Sequence, residues 1–424
     1  AVLFLSQAMV ATAAIKDWTG GTGNWSTPSN WNGGSVPLVN DTVNITPADG
    51  AARTITYDVT APTLDLLVVD LTGAGTNRTT FSMAANNLNL TSGSIVGFIV
   101  GNNGRATFNQ SGGTVAATGP TQDSAIGWIA GSNGIYNLSG TGSLSVGRDL
   151  YVGILGQGTF NQTGGTTTIT SKLIVNNQSI FTLAGGSLTA TGGVNFGTAT
   201  AIIEGAGTTL TAGGTSTWGG AGAADVTVRN GATLNLQNLA LGPIAGFGFV
   251  RIESAPALTT SVTAANIDLG TVDYGEIRIG NGQGLSRLAQ TGASTLTIGA
   301  TVASPGGQLR IDSGGEYFGG TGDVNVRSSG YINVNGGIFT TAGDVLVSTD
   351  SSATGVFGAI ELHGSGGAQF TQTGAMSVMV GAMSGSSTGT ILVSSGAFTA
   401  GSGGVTVNPK GTILISGGSF VSGG

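Results

Sequence analysis

Five short segments, QLRID, YINVN, AIELH, TILVS and TILIS, constrain what this chain can fold into more than any other feature. Each places a pair of apolar residues two positions apart, the spacing of one face of a strand. The apolar pairs are Leu309/Ile311, Ile332/Val334, Ile360/Leu362, Ile391/Val393 and Ile413/Ile415. Between them stand Arg310, Asn333, Glu361, Leu392 and Leu414, which should face outward. A glycine precedes each segment, at Gly307, Gly330, Gly358, Gly389 and Gly411, so successive units are 23, 28, 31 and 22 residues long. The short spacings fit one coil of a three-sided parallel β-helix, and the longer ones need a loop at a corner. A propeller blade would need about 40 residues per unit. Stacked in register, the apolar pairs make continuous aliphatic columns, and a one-residue slip would invert every face.

Earlier units carry a second kind of column. Phe108, Tyr136, Phe160 and Phe181 occupy one position on successive units, and Asn109, Asn137 and Asn161 follow directly after the first three. Aromatic stacks and Asn ladders stabilise in-register parallel strands. Gln110 and Gln162 then share a side with Leu138, which requires either a self-satisfied Gln ladder or a different register. The region 197–265 fits the template less well and is read as distorted coils rather than a separate domain.

The composition agrees. Of 424 residues, 78 are glycine and 39% are hydrophobic, while 8% are charged. Disordered chains combine low hydrophobicity with high net charge, and this chain does neither. Each coil needs sharp corners, and glycine takes positive φ without steric cost. Net charge is −7, with 13 lysines and arginines scattered singly, so no basic surface for nucleic acid is expected. The absence of cysteine excludes a disulfide framework and thiolate metal sites.

Three zones follow. Residues 1–14, AVLFLSQAMVATAA, read as the tail of a truncated signal peptide with an A-x-A-like cleavage site. Residues 15–86 hold Trp18, Trp25 and Trp31 and read as an N-terminal cap covering the first coil. The same three tryptophans are the candidate glycan contacts, since aromatic rings stack on sugars. Residues 87–424 read as the repeats, cut at the C-terminal end midway through a unit. Apart from the first residues, no stretch has the roughly 20 apolar residues of a membrane span.

The W-x-GG-x-GNW-S-x-x-x-NW stretch from Trp18 to Trp31, with VP…D-x-V-x-I after it, resembles the start of many secreted bacterial repeat proteins. The F-N-Q-[ST]-GG units at Phe108–Gly113 and Phe160–Gly165 resemble repeats in autotransporter passengers and in exosortase-sorted surface proteins. The resemblance implies an all-β, right-handed parallel β-helix displayed outside a bacterial cell, secreted or held at its surface. It also implies a C-terminal anchoring module, a barrel or a sorting signal, expected to lie beyond these 424 residues.

No residue is assigned a catalytic, cofactor-binding or metal-ligating role. His363 is the single histidine and lies at a predicted corner without a nucleophile elbow. Asp149, Asp225, Asp323 and Asp344 each precede a predicted third strand, and stacked carboxylates are one way to hold Ca²⁺. The repeated G-G-x-G-x-D pattern of Ca²⁺ rolls is absent, and Asp is a standard turn residue, so the turn role is preferred and no cofactor is expected. The functional expectation is a non-enzymatic structural or adhesive protein of the cell surface or extracellular matrix, with surface glycans or other cell-surface proteins as partners. A glycan-binding protein is the alternative. A polysaccharide lyase or hydrolase stands behind both; for it the sequence offers only Glu276/Arg278 and Arg310/Asp312 as acid–base neighbours.

Overall fold

The computed structural model describes residues 13–424 apart from 61, 92–94, 221, 245, 301–305, 351–356 and 365–366. The signal-peptide reading therefore falls almost wholly outside the described residues. The chain divides into two compact units, Ala1–Thr170 and Ser171–Gly424. Both are parallel β-solenoids, with about fifteen turns in all. Among the described residues the only helical pieces are two 3-10 turns, Pro28–Asn30 and Asn32–Gly34.

In the first unit three strands make one coil. One face runs through Thr79–Met83, Arg105–Gln110 and Asn133–Leu138, each paired residue for residue with the next. A second runs through Asn87–Leu90, Thr114–Ala117 and Ser143–Val146. A third runs through Leu66–Val69, Val96–Val100, Asp123–Ile126 and Leu150–Val152. The expected aromatic column is present: Phe108 stacks on Tyr136 at 4.8 Å and Tyr136 on Phe160 at 5.8 Å. Phe81 extends it, 4.7 Å from Phe108. The Asn ladder is present too, Asn137 Nδ2 donating to Asn109 Oδ1 at 2.8 Å and Asn161 Nδ2 to Asn137 Oδ1 at 2.9 Å. The Trp-rich segment is built from the same kind of strands, since Ile15–Asp17 already pairs in parallel with Thr42–Ile45.

The structure resolves the glutamine conflict in a third way. Gln110, Leu138 and Gln162 are in register, as the alternation requires, and both glutamines are buried. They do not ladder. Gln110 Nε2 donates to the carbonyls of Gly113 and Ser143 at 3.0 and 2.9 Å, while the Tyr136 hydroxyl donates to Oε1 at 2.6 Å. Gln162 Nε2 donates to Gly165 O at 3.2 Å, and Thr167 Oγ1 to Gln162 Oε1 at 2.8 Å. The F-N-Q-[ST]-GG motif thus has a physical meaning. Phe points in, Asn points out, and Gln turns back to satisfy the corner. The second glycine of each corner, Gly113 and Gly165, has φ of 69°, and an added Cβ would lie 2.1 Å from a carbonyl oxygen of the coil below. Gln110→Ala is expected to cost about 1–3 kcal/mol, because it strands buried carbonyls and a buried hydroxyl. Denaturant unfolding of the variant checks this.

One buried acid in this unit runs against its surroundings. Asp70 is 2% exposed, and its Oδ1 has no hydrogen-bond partner. Burial pushes its carboxyl above the ordinary range, although the Asn103 N–H, 2.8 Å from Oδ2, acts the other way. The folded state then holds the proton more tightly than the unfolded state. Stability from this group is present at low pH and falls as pH rises from the ordinary Asp value, about 3.9, through the raised folded value. Asp70→Asn is expected to flatten that part of the pH–stability curve; an unchanged slope would contradict it.

In the second unit the five segments that open the sequence reading pair as expected. Leu309, Ile332, Ile360, Ile391 and Ile413 are successive partners, as are Ile311, Val334, Leu362, Val393 and Ile415. The first four members of each column are fully buried; at the last strand Ile415 is 50% exposed and Leu414 54%. The extra residues of the 28-residue unit fall between Val345–Val347 and Phe357–His363. Region 197–265 is more regular than its sequence indicates: Ala199–Glu204, Ala224–Arg229 and Gly248–Glu253 pair without a break. A register shift falls between Ala212 and Thr215, where Thr209–Trp218 turns a corner as one continuous strand. In this unit Phe181 lies 5.7 Å from Phe196, which lies 5.4 Å from Trp218.

Candidate functional site

The three tryptophans named as candidate glycan contacts are packed away. Trp18, Trp25 and Trp31 are 5%, 1% and 2% exposed. Trp31 meets Trp18 edge-on at 5.0 Å and Trp25 at 4.7 Å, and Trp25 meets Tyr57 at 5.2 Å and Phe81 at 5.9 Å. The indole N–H of Trp31 donates to Trp25 O at 2.8 Å and that of Trp18 to Gly21 O at 3.0 Å. A shallow apolar cleft of about 250 Å³ borders Trp25, with Pro37, Leu38 and Pro62 around it. With so little of each ring exposed, a sugar has no tryptophan face to stack on, and the rings act as core.

The carboxylates read as turn residues have diverse surroundings. Asp344 Oδ1 accepts the N–H and hydroxyl of Ser377 at 2.7 and 3.1 Å, tying its corner to the next coil. Asp225 differs from the expectation. It lies inside Ala224–Arg229, on the face of the first strands rather than before a third strand, and pairs with Arg251 at 2.5 Å. Among the described residues no group of three or more His, Cys, Asp or Glu gathers as metal ligands would.

The structure does bring together the four residues that the lyase reading singled out. Glu276, Arg278, Arg310 and Asp312 lie on two adjacent strands, Gly275–Ile279 and Gly307–Asp312, and Arg278 pairs with Arg310. One coil earlier, Arg251 pairs with Arg278. Three arginines therefore stack in register on one outward column, which continues through Asn333 and Glu361. The linear sequence scatters them; the coil gathers them. The signal was present as VRI, IRI and LRI at the same place in three units, with arginine between two core residues.

Each arginine has its own setting. Arg251 is engaged by Asp225 and by the Thr227 hydroxyl at 3.3 Å, with its guanidinium 4.9 Å above the Phe249 ring. Arg278 and Arg310 share one carboxylate. Arg278 Nε donates to Asp312 Oδ2 at 2.7 Å, and Arg310 Nε to Asp312 Oδ1 and Oδ2 at 2.9 and 3.0 Å. Asn335 Nδ2 adds a fourth bond to Oδ1 at 3.0 Å. An open groove of about 270 Å³ lies beside this cluster. His363 is the partner of Asn335 on the next strand, and Gly364 after it lines the groove.

These settings define the chemistry available. Both oxygens of Asp312 are occupied by cationic or amide donors, so it orients guanidiniums rather than standing free to take a proton. Glu276 accepts the Tyr274 hydroxyl at 2.7 Å. Burial, and then that bond, push the Tyr274 hydroxyl up, and burial and a bond to Glu361 do the same for Tyr331. Both tyrosines stay protonated near neutral pH and act as donors, not bases. What the groove offers outward is cationic N–H, amide and hydroxyl.

No protein-family model matches this chain, and no curated protein does. Among solved structures it is similar to the crystal structure of the TibC-catalysed hyper-glycosylated TibA fragment. The two are 15% identical, the match covers 89% of this chain and 100% of that one, and the TM-score is 0.27. At that score the fold assignment rests on the strand pairing itself.

Proposed function

We propose that this chain is a non-enzymatic β-solenoid of the bacterial exterior that serves as an adhesive scaffold, presenting an ordered polar sheet face to surface glycans or other cell-surface proteins. The observation that carries the reading is the column Arg251–Arg278–Arg310. Its side chains rise from consecutive hydrogen-bonded strands, so a docking surface is held by backbone register rather than by loops. The resemblance to autotransporter passengers and exosortase-sorted proteins supports a secreted or surface location. The engaged state of Asp312 favours binding over proton transfer. Ca²⁺ and other cofactors have no part in this reading. The test uses beads coated with the full chain, laid on bacterial or host cell surfaces. Retention of the beads without release of new reducing ends from surface polysaccharide is the expected result. Release of such ends would overturn the non-enzymatic reading, and failure to retain beads would overturn the adhesive one.

A further inference from the structure

Arg278 and Arg310 form a cation pair with one shared counter-ion. Elsewhere among the described ion pairs each arginine has a carboxylate of its own; here two guanidiniums divide Asp312. Both spend only Nε on it, which leaves their Nη groups free to donate. The side chains are 42% and 36% exposed and border the groove. The cluster carries one net positive charge on a chain of net charge −7. Asp312 also fixes both guanidiniums in place, lowering the ordering cost of a ligand.

The other groove walls are neutral and polar. Asn281, Ser313 and Asn335 line it, with backbone at Gly282, Gly336 and Gly364. Asn335 gives its amide N–H to Asp312, and its Oδ1 remains an acceptor. A Cβ at Gly364, where φ is 106°, would stand 2.5 Å from that oxygen, so glycine keeps it open.

We infer that this groove binds a carboxylate-bearing sugar unit of an acidic polysaccharide. Guanidinium forks match carboxylates in charge and geometry. The surrounding amides and hydroxyl, able to donate and accept, suit sugar hydroxyls better than they suit a purely anionic chain. Past the groove, Gln308 and Tyr331 lie beside the column as neutral polar groups, and the carboxylate of Glu361, one strand beyond Asn333, bounds the stretch an acidic polymer can follow. Exposed arginines are screened by salt, and one acid group alone binds weakly. A polymer gains from repeated contact. The inference deepens the scaffold reading and rests on it only for exposure of this face to external polymers.

The test is binding of the full chain to polygalacturonate, its methyl ester and polyglutamate, followed by calorimetry. The expected result is binding to polygalacturonate that weakens between about 50 and about 300 mM salt, with no binding to the ester. The double variant Arg278→Gln/Arg310→Gln should bind about tenfold more weakly. Arg287→Gln, an exposed arginine on another face, should bind as the parent does. Undiminished binding by the double variant overturns the site. Equal or tighter binding of polyglutamate overturns the sugar assignment, and absence of binding to all three overturns the inference while leaving the scaffold reading standing. Polymer that is bound and also shortened would support the site and defeat the non-enzymatic reading.

Discussion

Phe370→Ala is expected to destabilise the second unit by about 3–5 kcal/mol, the range for deleting a buried aromatic ring. The ring lies 4.3 Å from Phe339 at 5° and 4.6 Å from Phe398 at 3°, in a stack that runs from Tyr317 to Phe420 and is buried as far as Phe398. The backbones on either side are paired in register, Phe339 with Phe370 and Phe370 with Phe398, so the coils have little freedom to close a cavity. Phe370→Leu keeps much of the buried area and should lose mainly the stacking contribution, about 0.5–1.5 kcal/mol per aromatic pair. In a solenoid each coil depends on its neighbours. Hydrogen exchange should therefore quicken first in Ile338–Thr341, Gln369–Gln372 and Ala397–Ala400. An alanine variant as stable as the parent would contradict the stack as a source of stability.

Trp31→Ala is the second large effect, again about 3–5 kcal/mol, and here on the first unit. The ring sits between Trp18 and Trp25 and closes a hydrogen bond to the Trp25 carbonyl. Its loss should lower the melting temperature and weaken the near-ultraviolet circular dichroism of the cluster together. A ligand platform behaves otherwise: its alanine variant loses binding and keeps its stability. Unchanged melting with lost glycan binding would return Trp31 to the sugar-contact role.

Much of the fold is legible in the sequence because period-two alternation and unit register express one constraint. Leu309, Ile332 and Ile360 pair where their alternation places them, and Phe108, Tyr136 and Phe160 stack for the same reason. Two columns are harder to see. The stack from Tyr317 to Phe420 is carried by strands as short as Gly315–Phe318, too brief to show alternation strongly. The arginine column is hidden by unequal spacing, since Arg278 comes 27 residues after Arg251 and Arg310 32 residues after Arg278. The role of Trp18, Trp25 and Trp31 is not legible at all from residue type. A tryptophan fits a core and a sugar site equally, and only packing distinguishes them. Gln110 shows a different limit: its position reads correctly as inward, but its partners lie across a corner that local alternation does not describe.

Register is the claim on which both the core columns and the arginine groove depend, and cysteine cross-linking tests it most directly. These 424 residues contain no cysteine, so an engineered pair among them has no competitor. Asn333 and Glu361 are direct partners on adjacent strands of the arginine column, whereas His363 is the partner of Asn335, two residues further along. Neighbouring strands lie about 4.8 Å apart, within reach of a disulfide, and Cα atoms more than about 7 Å apart are not bridged. Asn333→Cys/Glu361→Cys should oxidise readily to an intramolecular disulfide, and Asn333→Cys/His363→Cys should remain reduced under the same conditions. Efficient closure of the second pair in place of the first would show that these strands are not stacked in the register described.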